Sequence, residues 1–268
     1  MNDLRPLQNL WIVVTRPADQ AGGIIATIEE LGGNPIPWPA LKIEPINTSD
    51  QTRQHIIDLK TYDHLIFISV NAVNYGLVAI ARHHIDLSLL LKNINVFAVG
   101  KTTAKALKKS DVESVHVPET ASSKGLLDMS IFNQGDLSGK RCLIFRGKGG
   151  NETLAEGLSQ RGALTVDYAE VYQRHAADSD PIILESHWQQ KKLDIIIVTS
   201  IAGLDNIFAI LGTNNQSQLC STPLLTVSDR VAEYAKHKGF NQQVLVANSA
   251  IDKDIIATMQ SWHQVREK

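Results

Sequence analysis

The sequence predicts an α/β protein built on parallel sheets and duplicated within a single chain. Three observations predict it. Short Val/Ile/Leu runs alternate with longer amphipathic stretches over the 268 residues. The runs are continuously apolar, as strands buried on both faces of a parallel sheet are. The chain also matches itself at a nearly constant offset, which marks a duplicated domain rather than a short-period repeat.

In chain order, the expected strands are residues 11–14, 65–68, 96–99, 115–117, 142–145, 195–198, 224–227 and 244–246. Between them lie helical stretches such as 22–31, 103–109, 152–161 and 231–237. Strands that alternate with helical stretches in this way point to parallel βαβ architecture. Two segments interrupt the alternation. Residues 35–45 carry four prolines, and residues 167–174 are short and extended. Proline lacks a backbone donor and is confined to edge or extended positions, so both segments read as inter-domain strands.

The self-match covers three segments. Residues 10–33 align with 140–163, placing Arg16 on Arg146 and Gly32 on Gly162. Residues 65–79 align with 195–209, and 96–106 with 224–234. The offset is 130 residues for Arg16 and for Leu65, and 128 for Val96.

Composition narrows the function classes. The chain is 43% hydrophobic and 20% charged, enough apolar content for a packed core. The net charge of −2 lacks the basic excess of a general nucleic-acid binder. Cys142 and Cys220 form no C-x-x-C pair, so neither a disulfide framework nor a zinc site is expected. No apolar stretch reaches the ~20 residues of a membrane span. The polar N-terminus does not read as a signal peptide, and the expected location is cytoplasmic.

Ligands of open parallel sheets bind at the carboxyl ends of the strands. Here those ends carry Thr15-Arg16-Pro17, Ser69-Val70-Asn71, Gly100-Lys101-Thr102-Thr103, Arg146-Gly147-Lys148-Gly149-Gly150, Thr199-Ser200 and Ser228-Asp229-Arg230. Each opens a helix, where unpaired amides favour anions and small residues admit a ligand. Capping of the same helices explains the Ser, Thr and Asn residues equally well. The Arg146–Gly150 loop is the sharpest feature. A dinucleotide fingerprint would need glycine where Glu152 stands, and no Walker-type loop is present. The loop therefore reads as a carboxylate or phosphate binder, or as a flexible turn. The histidines do not cluster as metal ligands, and no hydrolase motif occurs. Tyr172 lies in the second linker, and a phenol is a proton donor at neutral pH. A tyrosine packed at a domain joint is the alternative.

These residues, in this order, resemble the uroporphyrinogen-III synthase family. The resemblance rests on Val14-Thr15-Arg16-Pro17 with Gln20 and Leu31-Gly32-Gly33. It continues through Phe67-Ile68-Ser69-Val70-Asn71-Ala72-Val73 and Ala98-Val99-Gly100-Lys101-Thr102-Thr103-Ala104. It includes Val117-Pro118, Ser123-Lys124-Gly125-Leu126-Leu127, Arg146-Gly147-Lys148-Gly149-Gly150, Glu170-Val171-Tyr172 and Val198-Thr199-Ser200. Each motif is short, but the ordered set spans nearly the whole chain.

The resemblance implies two flavodoxin-like parallel-sheet domains joined by a two-stranded linker. Residues 1–36 with 177–268 would form one domain and 47–168 the other. Residues 37–46 and 169–176 would link them, so each domain takes its first strand–helix unit from the other copy. The implied substrate is hydroxymethylbilane, a linear tetrapyrrole bearing acetate and propionate arms, closed to uroporphyrinogen III with ring D inverted. The implied route passes through an azafulvene and a spiro intermediate, with no metal or organic cofactor. Tyr172 is the implied acid, assisted by Thr103. Arg16, Ser69, Asn71, Arg146, Gly147, Gly150, Thr199, Ser200, Ser228 and Arg230 are the implied substrate contacts, many through main-chain amides. A monomer is implied, and a transient handover from hydroxymethylbilane synthase is compatible with it. Ile68 stands where the family often has threonine. The second-copy turn at Ser228 has Val231 where the first has Thr103, which removes a hydroxyl there. Arg230 is left as a carboxylate contact or a plain surface residue. The rival reading is a non-catalytic two-domain binding module for a small polyanion.

Overall fold

The computed structural model describes residues 5–85, 91 and 93–266. The first four residues of the polar N-terminus, residues inside the expected 47–168 domain and the last two residues lie outside these. The chain divides into two units: residues up to Lys42 together with those from His175 onward, and Ile43–Arg174.

The first unit holds a five-stranded sheet. Its strands are β1 (Trp11–Val14), β2 (Asn34–Pro37), β8 (Ile195–Ile197), β9 (Leu224–Thr226) and β10 (Val244–Val246). Their order is β10-β9-β8-β1-β2, and every pairing between them is parallel. Numbered within the unit, this is the 2-1-3-4-5 order of flavodoxin-like sheets. Pro35 and Pro37 are tolerated because β2 is an edge strand, with neighbours on one side only.

The second unit holds β4 (His64–Phe67), β5 (Asn95–Ala98), β6 (Arg141–Gly147) and most of β3 (Leu41–Pro45) and β7 (Thr165–Ala176). The order is β3-β7-β6-β4-β5. The β6–β4–β5 core and the β6–β7 pair are parallel. Starting from β6 rather than from the first strand in the chain, the order is again 2-1-3-4, with β3 added outside β7. The unit is thus a circularly permuted relative of the first. Its leading strand–helix unit, β6 with the helix Thr153–Gln160, comes from the second sequence copy, while β4 and β5 come from the first. Residues 37–46 and 169–176 carry β3 and the second half of β7.

The inner strands of each sheet are buried on both faces, which is why their runs are mainly apolar, whereas β3, β7 and β10 are partly exposed. In the first unit Ile12, Val14, Ile195, Ile197 and Leu225 face the helices Ala18–Glu30 and Asp252–Arg266. Val13, Ile196 and Leu224 face the helices Ile201–Leu211 and Asp229–His237. In the second unit Leu65, Phe67, Val96, Leu143 and Phe145 pack on the helices Val70–Ala81 and Lys101–Lys108. Ile66, Phe97, Cys142 and Ile144 pack on Ser123–Leu127 and Thr153–Gln160.

Two expectations need correction. Residues 115–117 form no strand: His116 makes a single parallel bridge to Phe97, exchanging bonds with Val96 and Ala98. Pro118 follows directly and cannot extend the ladder. The first helix begins at Ala18 rather than at residue 22, because Ala18-Asp19-Gln20 is exposed and the turn's one buried residue, Ala21, is too small to mark an apolar face.

Candidate active site

A bulge places the central side chain of the second unit. Along β6 and β7 the register runs Phe145 opposite Ala169 and Arg146 opposite Glu170, then jumps to Gly147 opposite Tyr172. Val171 is the extra residue. Strict alternation would send Val171 and Tyr172 to opposite faces. The bulge instead brings both into the cluster with Ala169, Phe67 and Phe145. Bulges recur where a strand must re-aim a side chain at a functional site.

Tyr172 is 1% exposed. Its Oη lies 3.2 Å from Ser69 Oγ at the carboxyl end of β4. Arg174 Nη2 donates to the same phenol oxygen at 3.2 Å, and the Arg174 guanidinium carbon lies 5.6 Å from the ring centroid. Tyr75 flanks the ring, centroid to centroid, at 5.8 Å. Arg174 itself is exposed. Because Arg174 only donates, the single phenol proton is available to Ser69 or to a ligand. Gly147 makes room for this ring, since a Cβ there would stand 2.5 Å from Tyr172 Cε2.

The Arg146–Gly150 loop differs from its sequence reading. Arg146 is 2% exposed and turned inward. Its Nη1 donates to Glu152 Oε1 at 3.1 Å, its Nε to the Gly147 carbonyl at 3.3 Å, and it stacks over Tyr168 at 4.4 Å. Tyr168 also donates to Glu152. That bond, and then Arg146, hold the Glu152 carboxyl below the usual range. Burial first and Glu152 second push the Tyr168 phenol up to about 12. Gly150 accommodates the guanidinium, because a Cβ would meet Arg146 Nη2 at 2.3 Å. Two loop amides are already engaged: Lys148 N donates to the Tyr172 carbonyl at 2.8 Å and Gly149 N to Glu170 at 3.2 Å. In this structure Arg146 props up its own loop through Nη1 and Nε, while its buried Nη2 has no hydrogen-bond partner.

Thr103 is buried in the first turn of the helix Lys101–Lys108, after β5. β5 and β7 are separated by β6 and β4. That is three strand spacings, about 14 Å. No hydrogen bond joins Thr103 to Tyr172 among the described residues. An open groove of about 860 Å³ follows the same helix, lined by Lys101, Lys105, Lys108 and Lys109. Thr103 is not among the residues that line it. Asn71 sits in the first turn of the helix Val70–Ala81, which Ser69 caps by accepting from Ala72 N at 3.0 Å.

In the first unit, Ser200 caps the helix Ile201–Leu211 through Gly203 N at 3.0 Å. Ser228 caps Asp229–His237 through Val231 N at 3.4 Å. All three serines thus use their side chains as caps, each taking up one first-turn amide of the helix it opens. Thr199 is half-buried just before Ser200, and Arg230 is exposed with no ion-pair partner among the described residues. Arg16 is committed to Asp252 and to the carbonyl of Ala250, which ties β1 to the final helix. Among the described residues, no group of three or more His, Cys, Asp and Glu side chains could hold a metal ion, and no helix is long and apolar enough to cross a membrane.

Sequence reasoning missed Arg174, Glu152 and Tyr168. Arg174 was within reach of it, lying two residues beyond Tyr172 on the same strand.

Fold and strand ends together define the class: a duplicated, doubly wound α/β protein of two domains with the sheet order of flavodoxin-like folds. The family model for uroporphyrinogen-III synthase HemD matches residues 23–256. The uroporphyrinogen-III synthase of Escherichia coli is 28% identical over 93% of this chain and 99% of its own length. That of Salmonella typhimurium is 27% identical over 93% and 99%. The crystal structure of a mutant uroporphyrinogen III synthase from Thermus thermophilus superposes with a TM-score of 0.61 at 16% identity, covering 97% of this chain and all of the other. The Helicobacter pylori uroporphyrinogen-III synthetase gives 0.56 at 17% identity, over 94% and 99%. At these identities the two structures speak for the fold. The chain belongs to the uroporphyrinogen-III synthase family.

Proposed function

We infer that this chain cyclises hydroxymethylbilane to uroporphyrinogen III with loss of water, as a lyase. The match of the family along almost the whole chain carries this reading. The geometry of Tyr172 supports it. A buried phenol, aimed by a bulge and flanked by a hydroxyl and a guanidinium, stands at the carboxyl end of a parallel sheet.

The chemistry is the route that the family implies, with these groups placed on it. Tyr172 gives its proton to the terminal hydroxyl of the bilane. The carbon–oxygen bond breaks, and its electron pair leaves with water. The pyrrole nitrogen of ring A fills the vacated orbital, giving a cationic azafulvene. The substituted α-carbon of ring D attacks this carbon and forms a spiro centre. Fragmentation and reclosure at the other α-carbon invert ring D. The proton released as the ring regains aromaticity returns to the phenolate. The protein's larger task is to hold two ends of a flexible chain together in one orientation. First-turn amides beyond Ser69, Ser200 and Ser228 suit the acetate and propionate arms, without requiring net basic charge. Thr103, some 14 Å across the sheet by strand spacing, would serve a different part of the substrate from Tyr172.

Tyr172→Phe tests the acid role. General acids contribute about 100-fold or more to rate. The variant should lose that factor in kcat with hydroxymethylbilane generated in situ, while keeping its melting temperature. Full turnover by a folded Tyr172→Phe protein would remove Tyr172 from the mechanism.

A further inference from the structure

We propose that Arg174 is the second half of the acid: its guanidinium holds the phenol oxygen of Tyr172 and stabilises the negative charge left there when the proton goes to the substrate. The proposal rests on the reading of Tyr172 as proton donor.

Four observations lead to it. Arg174 Nη2 donates directly to the oxygen that must lose its proton. Among the described residues no other cation hydrogen-bonds to that oxygen. Arg146 is held on Glu152 and Tyr168, and the other neighbours of the phenol, Ser69 and Tyr75, are neutral. Finally, Tyr172 is buried while Arg174 is exposed, so a ligand approaching the phenol meets the guanidinium as well.

The energetics favour catalysis over binding. A bond from a cation to a neutral phenol is charge-assisted on the donor side only. The same bond to a phenolate joins opposite charges and is stronger. The gain appears only as the proton leaves, so it lowers the barrier without tightening the ground state. At 3.2 Å the bond also has room to shorten as charge develops. The position on β7 supplies the geometry: residues two apart on a strand share a face, so the bulge that aims Tyr172 carries Arg174 with it.

The test compares Arg174→Gln, Arg174→Lys and Arg174→Ala in wild-type and Tyr172→Phe backgrounds. Turnover is measured with hydroxymethylbilane made in situ, and thermal melts verify folding. Preorganised oxyanion donors carry about 100-fold or more in kcat. An exposed one is expected to carry about tenfold, so Arg174→Gln should lower kcat by that factor and change KM little. Arg174→Lys should retain more activity than Arg174→Gln, and added guanidinium ion should restore part of the rate of Arg174→Ala. In the Tyr172→Phe background the Arg174→Gln loss should vanish. A wild-type kcat with raised KM would make Arg174 a carboxylate anchor only and overturn the proposal. So would an undiminished Arg174→Gln loss in the Tyr172→Phe background. Full turnover by Tyr172→Phe alone would instead sink the acid reading, and this proposal with it. Failure of the wild-type protein to convert the bilane would overturn the functional reading itself.

Discussion

Gly147 shows how much of the site depends on single atoms. The Tyr172 ring occupies the space a side chain would need, at 2.5 Å from the missing Cβ. Gly147→Ala must push the ring, and with it the phenol oxygen, away from Ser69 and Arg174. Overpacking costs about 1–3 kcal/mol, and misplaced catalytic groups cost far more in rate than in stability. We expect Gly147→Ala to lower the melting temperature modestly and kcat by about 100-fold, read by a thermal melt and a turnover assay on one preparation. Gly150 plays the corresponding role for the Arg146 guanidinium. Arg146 also shows what residue types alone do not reveal. A strand-end arginine beside three glycines reads as a ligand contact. Its inward turn depends on Glu152, six residues on, and on Tyr168 across the ladder, and neither partner is visible from the loop itself.

Capped helix starts are the repeated unit at the next scale. Ser69, Ser200 and Ser228 each accept from the third amide of the following helix. Removing such a cap costs about 1 kcal/mol. Ser69 has a second partner, Tyr172, which Ser200 and Ser228 lack. Ser69→Ala and Ser200→Ala should therefore destabilise to a similar degree, while Ser69→Ala lowers kcat more. Equal kinetic effects would mean that Ser69 serves only its helix. The inner strands were largely legible because burial on both faces leaves a continuous apolar run, and β1, β8 and β9 fall where those runs lie. The exposed Ala18-Asp19-Gln20 hid the start of the helix Ala18–Glu30. The bulge at Val171 was hidden for a different reason. It is a register shift between two strands, and neither strand's own sequence records it.

At the scale of the whole molecule, duplication and permutation work together. The offset of about 130 residues was legible in the sequence, but the way the copies exchange their first strand–helix units was not. That exchange is written in strand order: β6 beside β4 in one sheet and β1 beside β8 in the other. Each sheet then presents its own set of capped helix starts at its carboxyl edge, and the two sets are chemically unequal. The second unit holds Tyr172, Ser69 and Arg174. In the first, Arg16 is taken up by Asp252, and Val231 stands where the first copy has Thr103. We propose from this inequality that proton transfer belongs to the second unit. The central claim is that the whole chain turns a bilane over with ring D inverted. The most direct measurement is the isomer composition of the product: hydroxymethylbilane generated in situ, purified protein added, products oxidised to porphyrins, and isomers I and III separated. The account predicts predominantly isomer III, absent from the control without protein. Isomer I alone, from folded protein, would contradict it.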